Sequence, residues 1–222
     1  PLRYSDDNHV ADCNDPRFPE LTNGLLSYYP FNGNANDETE GNHGQVNGAT
    51  LTEDRFVNPN SAYYFDGAGE DYIEVLQTFY FHTPNTDASL SFWMNKHNSH
   101  HGSLFWTDGG YKHDCNRFHI YNDFGFDYRN DSCSPRHLGN TPVNPYDWTH
   151  IVITRTGTTY IIYKNAEQAT QTEDEWNDLP TYEGPWEIGK HSTSTSNGYY
   201  GVLDDIRIYN RALSAQDILD LY

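Results

Sequence analysis

Arg117, His119 and Tyr121 alternate with the apolar residues Phe118 and Ile120 in a short stretch of the chain. Successive side chains of a β-strand point to opposite faces, so this pattern predicts that the three polar side chains share one face. Histidine and tyrosine can serve as general base and general acid, and arginine can neutralise an anionic group. The same three side chains can instead bind a polar ligand without reacting with it.

Aromatic residues accompany this stretch. Trp106, Tyr111 and Tyr128 lie in the same region, residues 95–145, which is rich in His, Asn and Asp. An aromatic ring offers a flat apolar surface, and the tyrosine hydroxyl adds a polar tip, so these residues suit a ligand-binding face. With the three polar residues of the strand, they form the predicted ligand-binding set. The alternative is that the rings are core residues or cross-strand pairs, which are common in sheets.

The elements that must position these residues are short β-strands separated by Gly, Asn, Asp and Pro. The clearest runs are 24–31, 61–65, 71–75, 89–94, 118–121, 125–128, 148–155, 158–163, 186–189 and 202–209. Only the tail, 213–222, has a helical pattern, with Ser214 as the predicted N-cap and Asp217 at position N3. Many short strands with frequent turn signals predict an all-β sandwich or barrel.

Composition and charge exclude several classes of partner. The chain has 13 Lys and Arg against 32 Asp and Glu, a net charge of −19. Phosphate backbones and anionic membrane surfaces attract basic proteins, so we expect neither nucleic acid nor membrane insertion. No apolar run is long enough to span a bilayer. Of the three cysteines, Cys115 and Cys133 form the predicted disulfide, and Cys13 could compete for either.

Several segments resemble the signatures of the laminin-G-like, concanavalin A-like jelly roll. They are residues 24–37 with 41–44, 64–67 with 71–75, 148–151 and 201–214, and they occur in the family's order. The resemblance implies an all-β, two-sheet antiparallel jelly-roll sandwich with a short C-terminal helix. Residues 1–20, which are polar and contain Pro16 and Pro19, are predicted to form an irregular arm. The resemblance implies one domain over 21–222, and residues 95–145 depart from the family's pattern as an atypical insertion.

The resemblance also implies a calcium site where the loop after the first strand meets the last long strand. Asp37 and Asp205 would supply side-chain ligands, and Gly41 and Asn42 would supply backbone carbonyls. Asp204 is a further candidate, although neighbouring residues of a strand face opposite ways. Calcium prefers six to eight oxygen ligands, which such a loop can provide. The alternative is an ordinary Asn- and Gly-rich turn with exposed carboxylates.

The resemblance implies a calcium-containing, carbohydrate-binding, lectin-like module of a secreted, extracellular protein, which could carry further domains. It would bind a polysaccharide or glycan. One alternative is a polysaccharide lyase or hydrolase on the same sandwich, with His119, Tyr121 and Arg117 as catalytic residues. A second alternative is an adhesion domain that recognises a protein. The histidines between 97 and 119 fit no standard metal spacing and are interpreted as a solvated loop.

Overall fold

The structure is a computed structural model. It describes residues 19–39, 41–76, 86–97, 102–108, 117–121, 126–129, 135–137, 141–173, 185–190 and 198–222. The arm predicted for residues 1–20 lies outside these ranges except for its last two residues. Much of the predicted insertion at 95–145 lies outside them as well.

The described chain is built almost entirely of short strands. A 3-10 helix, Pro19–Thr22, precedes the strands, and one α-helix, α1 (Ala215–Leu221), follows them. The strands are β1 (Leu25–Tyr29), β2 (Gln45–Asn47), β3 (Thr50–Thr52), β4 (Ala62–Asp66), β5 (Tyr72–Val75), β6 (Ala88–Lys96), β7 (Ser103–Asp108), β8 (Arg117–Tyr121), β9 (Phe126–Arg129), β10 (Pro135–His137), β11 (Thr149–Thr156), β12 (Thr159–Lys164), β13 (Glu167–Glu173), β14 (Trp186–Ile188) and β15 (Tyr200–Tyr209).

These strands form two antiparallel sheets. The eight-stranded sheet has the order β13-β12-β11-β6-β15-β4-β3, with β1 also paired to β15. The seven-stranded sheet has the order β10-β9-β8-β7-β14-β5-β2. The prediction of a two-sheet antiparallel jelly-roll sandwich with a short C-terminal helix is confirmed. Among the described residues, no helix is long and apolar enough to cross a membrane.

The main core lies between the two sheets and follows from the alternation along each strand. On β6, Leu90, Phe92 and Met94 are fully buried. The ring of Phe92 meets Phe105 of the opposite sheet edge-on, with ring centroids 5.1 Å apart. Burying one such side chain stabilises the fold by about 1.5–3 kcal/mol, so this period-two pattern holds the sheets face to face.

A second, smaller core lies on the other side of the eight-stranded sheet, under α1 and the 3-10 helix. Its members are Leu21, Val152, Tyr209, Leu213, Ile218 and Leu221. The predicted cap of α1 is confirmed. Ser214 accepts a hydrogen bond from the backbone N–H of Asp217, and the Asp217 side chain accepts one from the N–H of Ser214. This capping box satisfies two backbone donors that a helix start would otherwise leave unpaired.

Candidate functional site

Glu74 and Glu187 lie on the outer face of the seven-stranded sheet. Their strand neighbours Ile73, Val75 and Trp186 are buried in the core between the sheets. Because alternate residues of a strand face opposite ways, the two glutamates face outward. The strand register puts Glu187 of β14 directly opposite Glu74 of β5.

The register extends this pair into a row across the sheet. Trp106 of β7 lies opposite Glu187, His119 of β8 opposite Trp106, Asp127 of β9 opposite His119, and His137 of β10 opposite Asp127. Residues directly opposite each other on antiparallel strands belong to the same face. We call this set the outer row: Gln45, Glu74, Glu187, Trp106, His119, Asp127 and His137.

Two predicted ligand-binding residues, Trp106 and His119, are therefore neighbours in the outer row. Arg117 and Tyr121 are two positions either side of His119 on β8, so strand alternation places them on the same face. Glu74 and Glu187 complete the acidic half of the row, and the sequence reasoning missed Glu187. Its alternation with the buried Trp186 and Ile188 was the available signal.

The strand register gives Tyr128 a position in a different row from Trp106 and His119. Tyr128 lies opposite Phe118, and Phe118 lies opposite Thr107. Thr107 in turn lies opposite Trp186, which is buried in the core. Tyr128 therefore shares a register row with Trp186, and its part in the ligand-binding set stays a prediction. Outside the described residues lie Tyr111 and both cysteines of the predicted disulfide, Cys115 and Cys133.

A lysine neutralises one carboxylate of the outer row. The Nζ atom of Lys190 lies 2.6 Å from Oε1 of Glu187, and it lies 3.9 Å from the centroid of the Tyr72 ring. The two charged side chains keep 22 % and 16 % of their surface exposed. The face therefore offers hydrogen-bond acceptors, one fixed ammonium group and aromatic surface to a ligand.

The predicted calcium loop is organised by Asp37, which is buried. Its Oδ1 atom accepts hydrogen bonds from the backbone N–H of Tyr28 at 2.9 Å, and from the N–H and hydroxyl of Thr39 at 3.0 and 2.8 Å. Its Oδ2 atom accepts one from the N–H of Asn42 at 3.2 Å. The carbonyl of Asn42 accepts a hydrogen bond from the Tyr29 hydroxyl at 2.7 Å. Asp37 thus acts as an acceptor for the backbone of its own loop.

Gly41 lies close against this carboxylate. A Cβ atom at this position would lie 3.7 Å from Oδ2 of Asp37, which is ordinary van der Waals contact. A side chain at position 41 would therefore not clash with the carboxylate.

Asp204 and Asp205 occupy a bulge in β15. The register between β15 and β6 shifts between Asp204 and Arg207, and Asp205 adopts a left-handed backbone with φ of 59°. Strand alternation predicts opposite faces for two adjacent residues, but a bulge re-aims one of them. Both carboxylates are buried and both bind Arg55: Nη1 lies 2.8 Å from Asp204 and Nη2 lies 2.9 Å from Asp205.

A second arginine completes this buried group, which we call the arginine cluster: Arg55, Asp204, Asp205 and Arg207. Nη1 of Arg207 lies 3.0 Å from Oδ1 of Asp205. Burial and the adjacent Asp205 raise the pKa of Asp204 well above its usual value. Burial alone would raise the pKa of Asp205, but Arg207 and Arg55 hold it below its usual value. The sequence reasoning missed Arg55, because it is 149 positions from Asp204 and no local pattern links them.

These contacts decide how well calcium fits the predicted residues. The oxygens of Asp37 already accept N–H donors, and the Asp204–Asp205 pair faces two guanidinium groups that would repel a divalent cation. In the described ranges, no group of three or more His, Cys, Asp or Glu is arranged to hold a metal ion. As arranged, the described residues do not fit calcium, and the calcium site stays a prediction.

The outer face of the eight-stranded sheet, which carries the arginine cluster, also contains a buried histidine, His150. Nε2 of His150 lies 2.9 Å from the hydroxyl of Ser91, and its ring stacks on Trp93 with centroids 4.9 Å apart. Burial, and next the charge of Arg55, lower the pKa of His150 to about 3. The imidazole is therefore neutral at pH 7 and serves packing rather than proton transfer.

Comparisons with known proteins give the chain's relatives. A family model described as the concanavalin A-like lectin/glucanases superfamily matches residues 65–219, more than half of the chain. A search of curated proteins finds no match.

Similar solved structures share the fold at low identity. Domain 4 of AbnA, a GH43 extracellular arabinanase from Geobacillus stearothermophilus solved with arabinotriose, is 15 % identical with a TM-score of 0.71, over 89 % of this chain and 97 % of that one. The botulinum neurotoxin serotype D ligand binding domain, solved with N-acetylneuraminic acid, is 14 % identical with a TM-score of 0.67, over 90 % and 50 %. The binding domain of Paraclostridial Mosquitocidal Protein 1 is 15 % identical with a TM-score of 0.66, over 89 % and 51 %. The chain thus spans half the length of the two toxin domains, and it belongs to the concanavalin A-like lectin/glucanase superfamily, in its laminin-G branch.

Proposed function

We propose that this chain is a carbohydrate-binding, lectin-like module that binds a polysaccharide or glycan on the outer face of its seven-stranded sheet. The observation that carries the proposal is the outer row. Its register aligns an indole, an imidazole and carboxylates across adjacent strands. Support also comes from the relatives: the arabinanase domain was solved with the neutral sugar arabinotriose, whereas the neurotoxin domain, solved with the anionic N-acetylneuraminic acid, supports glycan binding only in general.

The chemistry of the row suits sugar hydroxyls. A sugar ring has an apolar face of C–H groups that can lie on an aromatic ring, and its hydroxyls need directed acceptors and donors. Trp106 offers the ring, and Glu74 and Glu187 are acceptors. Carboxylates repel anionic sugars, and the chain carries a net charge of −19. The proposed ligand is therefore a neutral polysaccharide.

Affinity electrophoresis on a panel of neutral and acidic polysaccharides tests this proposal. The double variant Trp106→Ala/Tyr121→Ala is expected to weaken binding at least tenfold, about 1.4 kcal/mol. Phe56→Ala is the matched control, because Phe56 is an exposed aromatic on a loop of the other sheet. If the double variant binds as strongly as the wild-type chain, the outer row is not the binding site.

Catalysis on the same face is the second candidate, and the alternation of Arg117, His119 and Tyr121 on β8 favours it. In a lyase, His119 would take the proton next to a uronate carboxylate, Arg117 would neutralise that carboxylate, and Tyr121 would protonate the departing sugar oxygen. Unsaturated products absorb ultraviolet light, so a depolymerisation screen on acidic polysaccharides measures them directly. Absence of products from all of these polysaccharides would exclude the lyase.

The proposal places the module in a secreted protein, either alone or with other domains. An adhesion domain that recognises a protein is the remaining alternative. A saturable protein partner whose binding no glycan inhibits would favour adhesion over carbohydrate binding.

A further inference from the structure

Four aromatic side chains meet on the outer face of the eight-stranded sheet, on the opposite side of the sandwich from the outer row. They are Tyr64 of β4, His97 after β6, Tyr146 before β11 and Tyr200 of β15. His97 lies at the centre, with ring centroids 5.7 Å from Tyr64, 5.6 Å from Tyr146 and 5.5 Å from Tyr200. Its plane is 25° from that of Tyr146 and 76° from that of Tyr200, so Tyr146 is stacked on it and Tyr200 meets it edge-on.

Tyr146 is held in a strained backbone conformation. Its φ is 69°, and it follows Pro145, as in a turn whose third position usually carries Gly or Asn. A bulky side chain rarely adopts this conformation unless its surroundings impose it. β6 imposes it here: the N–H of Tyr146 donates to the carbonyl of Lys96 at 2.7 Å, and its carbonyl accepts from the amide of Asn95 at 3.4 Å.

Burial does not account for keeping a tyrosine at this position, because 69 % of Tyr146 is exposed. One face of the ring stacks on His97, and the exposure shows that the other is turned to solvent. Asn144 and Asp147 flank the turn, are exposed, and bond to each other with Nδ2 and Oδ2 3.3 Å apart. A flat ring with an amide and a carboxylate beside it combines an apolar surface with directed polar groups.

The arrangement of the rings distinguishes between two kinds of ligand. An aromatic cage for a quaternary ammonium group needs rings that surround a gap. Here the rings of Tyr64, His97 and Tyr200 contact one another, and a single open face remains on Tyr146. Burial lowers the pKa of His97, so the supporting imidazole is neutral at pH 7. The single open face of Tyr146 fits the C–H side of a sugar ring. Because the imidazole of His97 is uncharged, it does not attract an anionic ligand.

We propose that Tyr146, stacked on His97 and flanked by Asn144 and Asp147, is a second carbohydrate-contact site that binds a neutral sugar residue. We call it the Tyr146 platform. The inference extends the proposed function, because it makes the module bivalent, with one site on the outer face of each sheet. A bivalent module can cross-link two polysaccharide chains rather than only bind to one.

Two variants test the two sites separately. Tyr146→Gly removes the ring of the platform and keeps the turn, because glycine adopts positive φ without strain. Trp106→Ala removes the indole of the outer row. The wild-type chain and both variants are titrated by calorimetry with neutral arabino-, xylo- and gluco-oligosaccharides. We expect two oligosaccharides per wild-type chain and one per variant chain, with at least tenfold weaker binding at the altered site.

Val57→Gly is the matched control for the backbone change. Val57 has the same φ of 69° and is 68 % exposed, but it carries no ring. This variant is expected to bind two oligosaccharides, and Tyr146→Trp, which keeps an aromatic face, is expected to do the same. Neither glycine variant should lower Tm by more than about 3 °C, since glycine suits both positions.

Each outcome assigns success or failure to one site. If the wild-type chain binds one oligosaccharide, and Trp106→Ala abolishes this binding whereas Tyr146→Gly does not, the platform is overturned and the outer row is retained. If the wild-type chain binds one oligosaccharide, and Tyr146→Gly abolishes this binding whereas Trp106→Ala does not, the platform is retained and the outer row is overturned. A wild-type chain that binds none of these oligosaccharides would overturn both.

Discussion

The arginine cluster and the outer row both place carboxylates on an outer face of the sandwich, yet their surroundings differ. In the arginine cluster, Asp204 and Asp205 are buried and two guanidinium groups bind them. In the outer row, Glu187 is partly exposed and pairs with a single lysine. A buried carboxylate held by arginines connects strands to a loop, whereas an accessible one can exchange its water for a ligand. Acidic residues on the two sheets of this fold therefore serve structure in one case and, under the proposed function, recognition in the other.

The largest expected effect comes from removing Arg55. Arg55→Met leaves Asp204 and Asp205 buried without that partner, which should lower the free energy of unfolding by about 3–5 kcal/mol. Lys190→Met is the matched variant beside the outer row, where loss of the partly exposed ion pair with Glu187 should lower the free energy of unfolding by only about 0–1 kcal/mol. Urea unfolding of both variants measures the difference. If both variants lower the free energy of unfolding by the same amount, the difference in burial between the two regions does not determine the strength of their ion pairs.

The pH dependence of stability tests the same buried face through His150. Its pKa is about 3 in the folded chain and 6.5 when unfolded, so only the unfolded chain gains this proton between those values. Stability due to this group is therefore complete above pH 6.5 and falls as the pH drops toward 3, by about 1.4 kcal/mol per pH unit.

The control for this prediction is His150→Gln, which can keep a hydrogen bond to Ser91 and does not titrate. Urea unfolding at pH 6.5 and 4.5 should show that the wild-type chain loses about 2.3 kcal/mol more stability over this interval than His150→Gln. A wild-type chain that loses no more stability than His150→Gln over this interval would show that His150 is accessible to protons in the folded state.

A smaller effect than the loss of Arg55 is expected in the calcium loop. The carboxylate of Asp37 accepts hydrogen bonds from three backbone N–H groups, and the amide in Asp37→Asn is a weaker acceptor. This variant should lower the free energy of unfolding by about 1–3 kcal/mol. Because the described contacts of Asp37 are to backbone and hydroxyl donors, the cost should be the same with and without a chelator. A bound calcium would give a different result: chelation would lower the Tm of the wild-type chain by mass action and leave that of Asp37→Asn unchanged.

Local sequence patterns predicted ten of the fifteen described strands and the C-terminal helix, and they missed β2, β3, β7, β10 and β13. Alternation along 89–94 and 148–155 gave the central strands of the eight-stranded sheet, and Ser214 with Asp217 gave the start of α1. These features depend on side chains within a few residues of each other, where the period of a strand or the geometry of a helix start acts directly. The prediction that Arg117, His119 and Tyr121 share one face rests on the same period, and the structure places all three on β8.

By itself, then, the sequence determined a sandwich of short strands, its capped C-terminal helix, and its strongly acidic character. Only the tertiary structure decided which residues meet. Strand register aligned Trp106 with His119 and Glu187. The bulge at Asp205 turned two adjacent carboxylates toward Arg55, 149 and 150 positions away. Register, bulges and long-range ion pairs depend on contacts between distant segments, and no local pattern encodes those contacts.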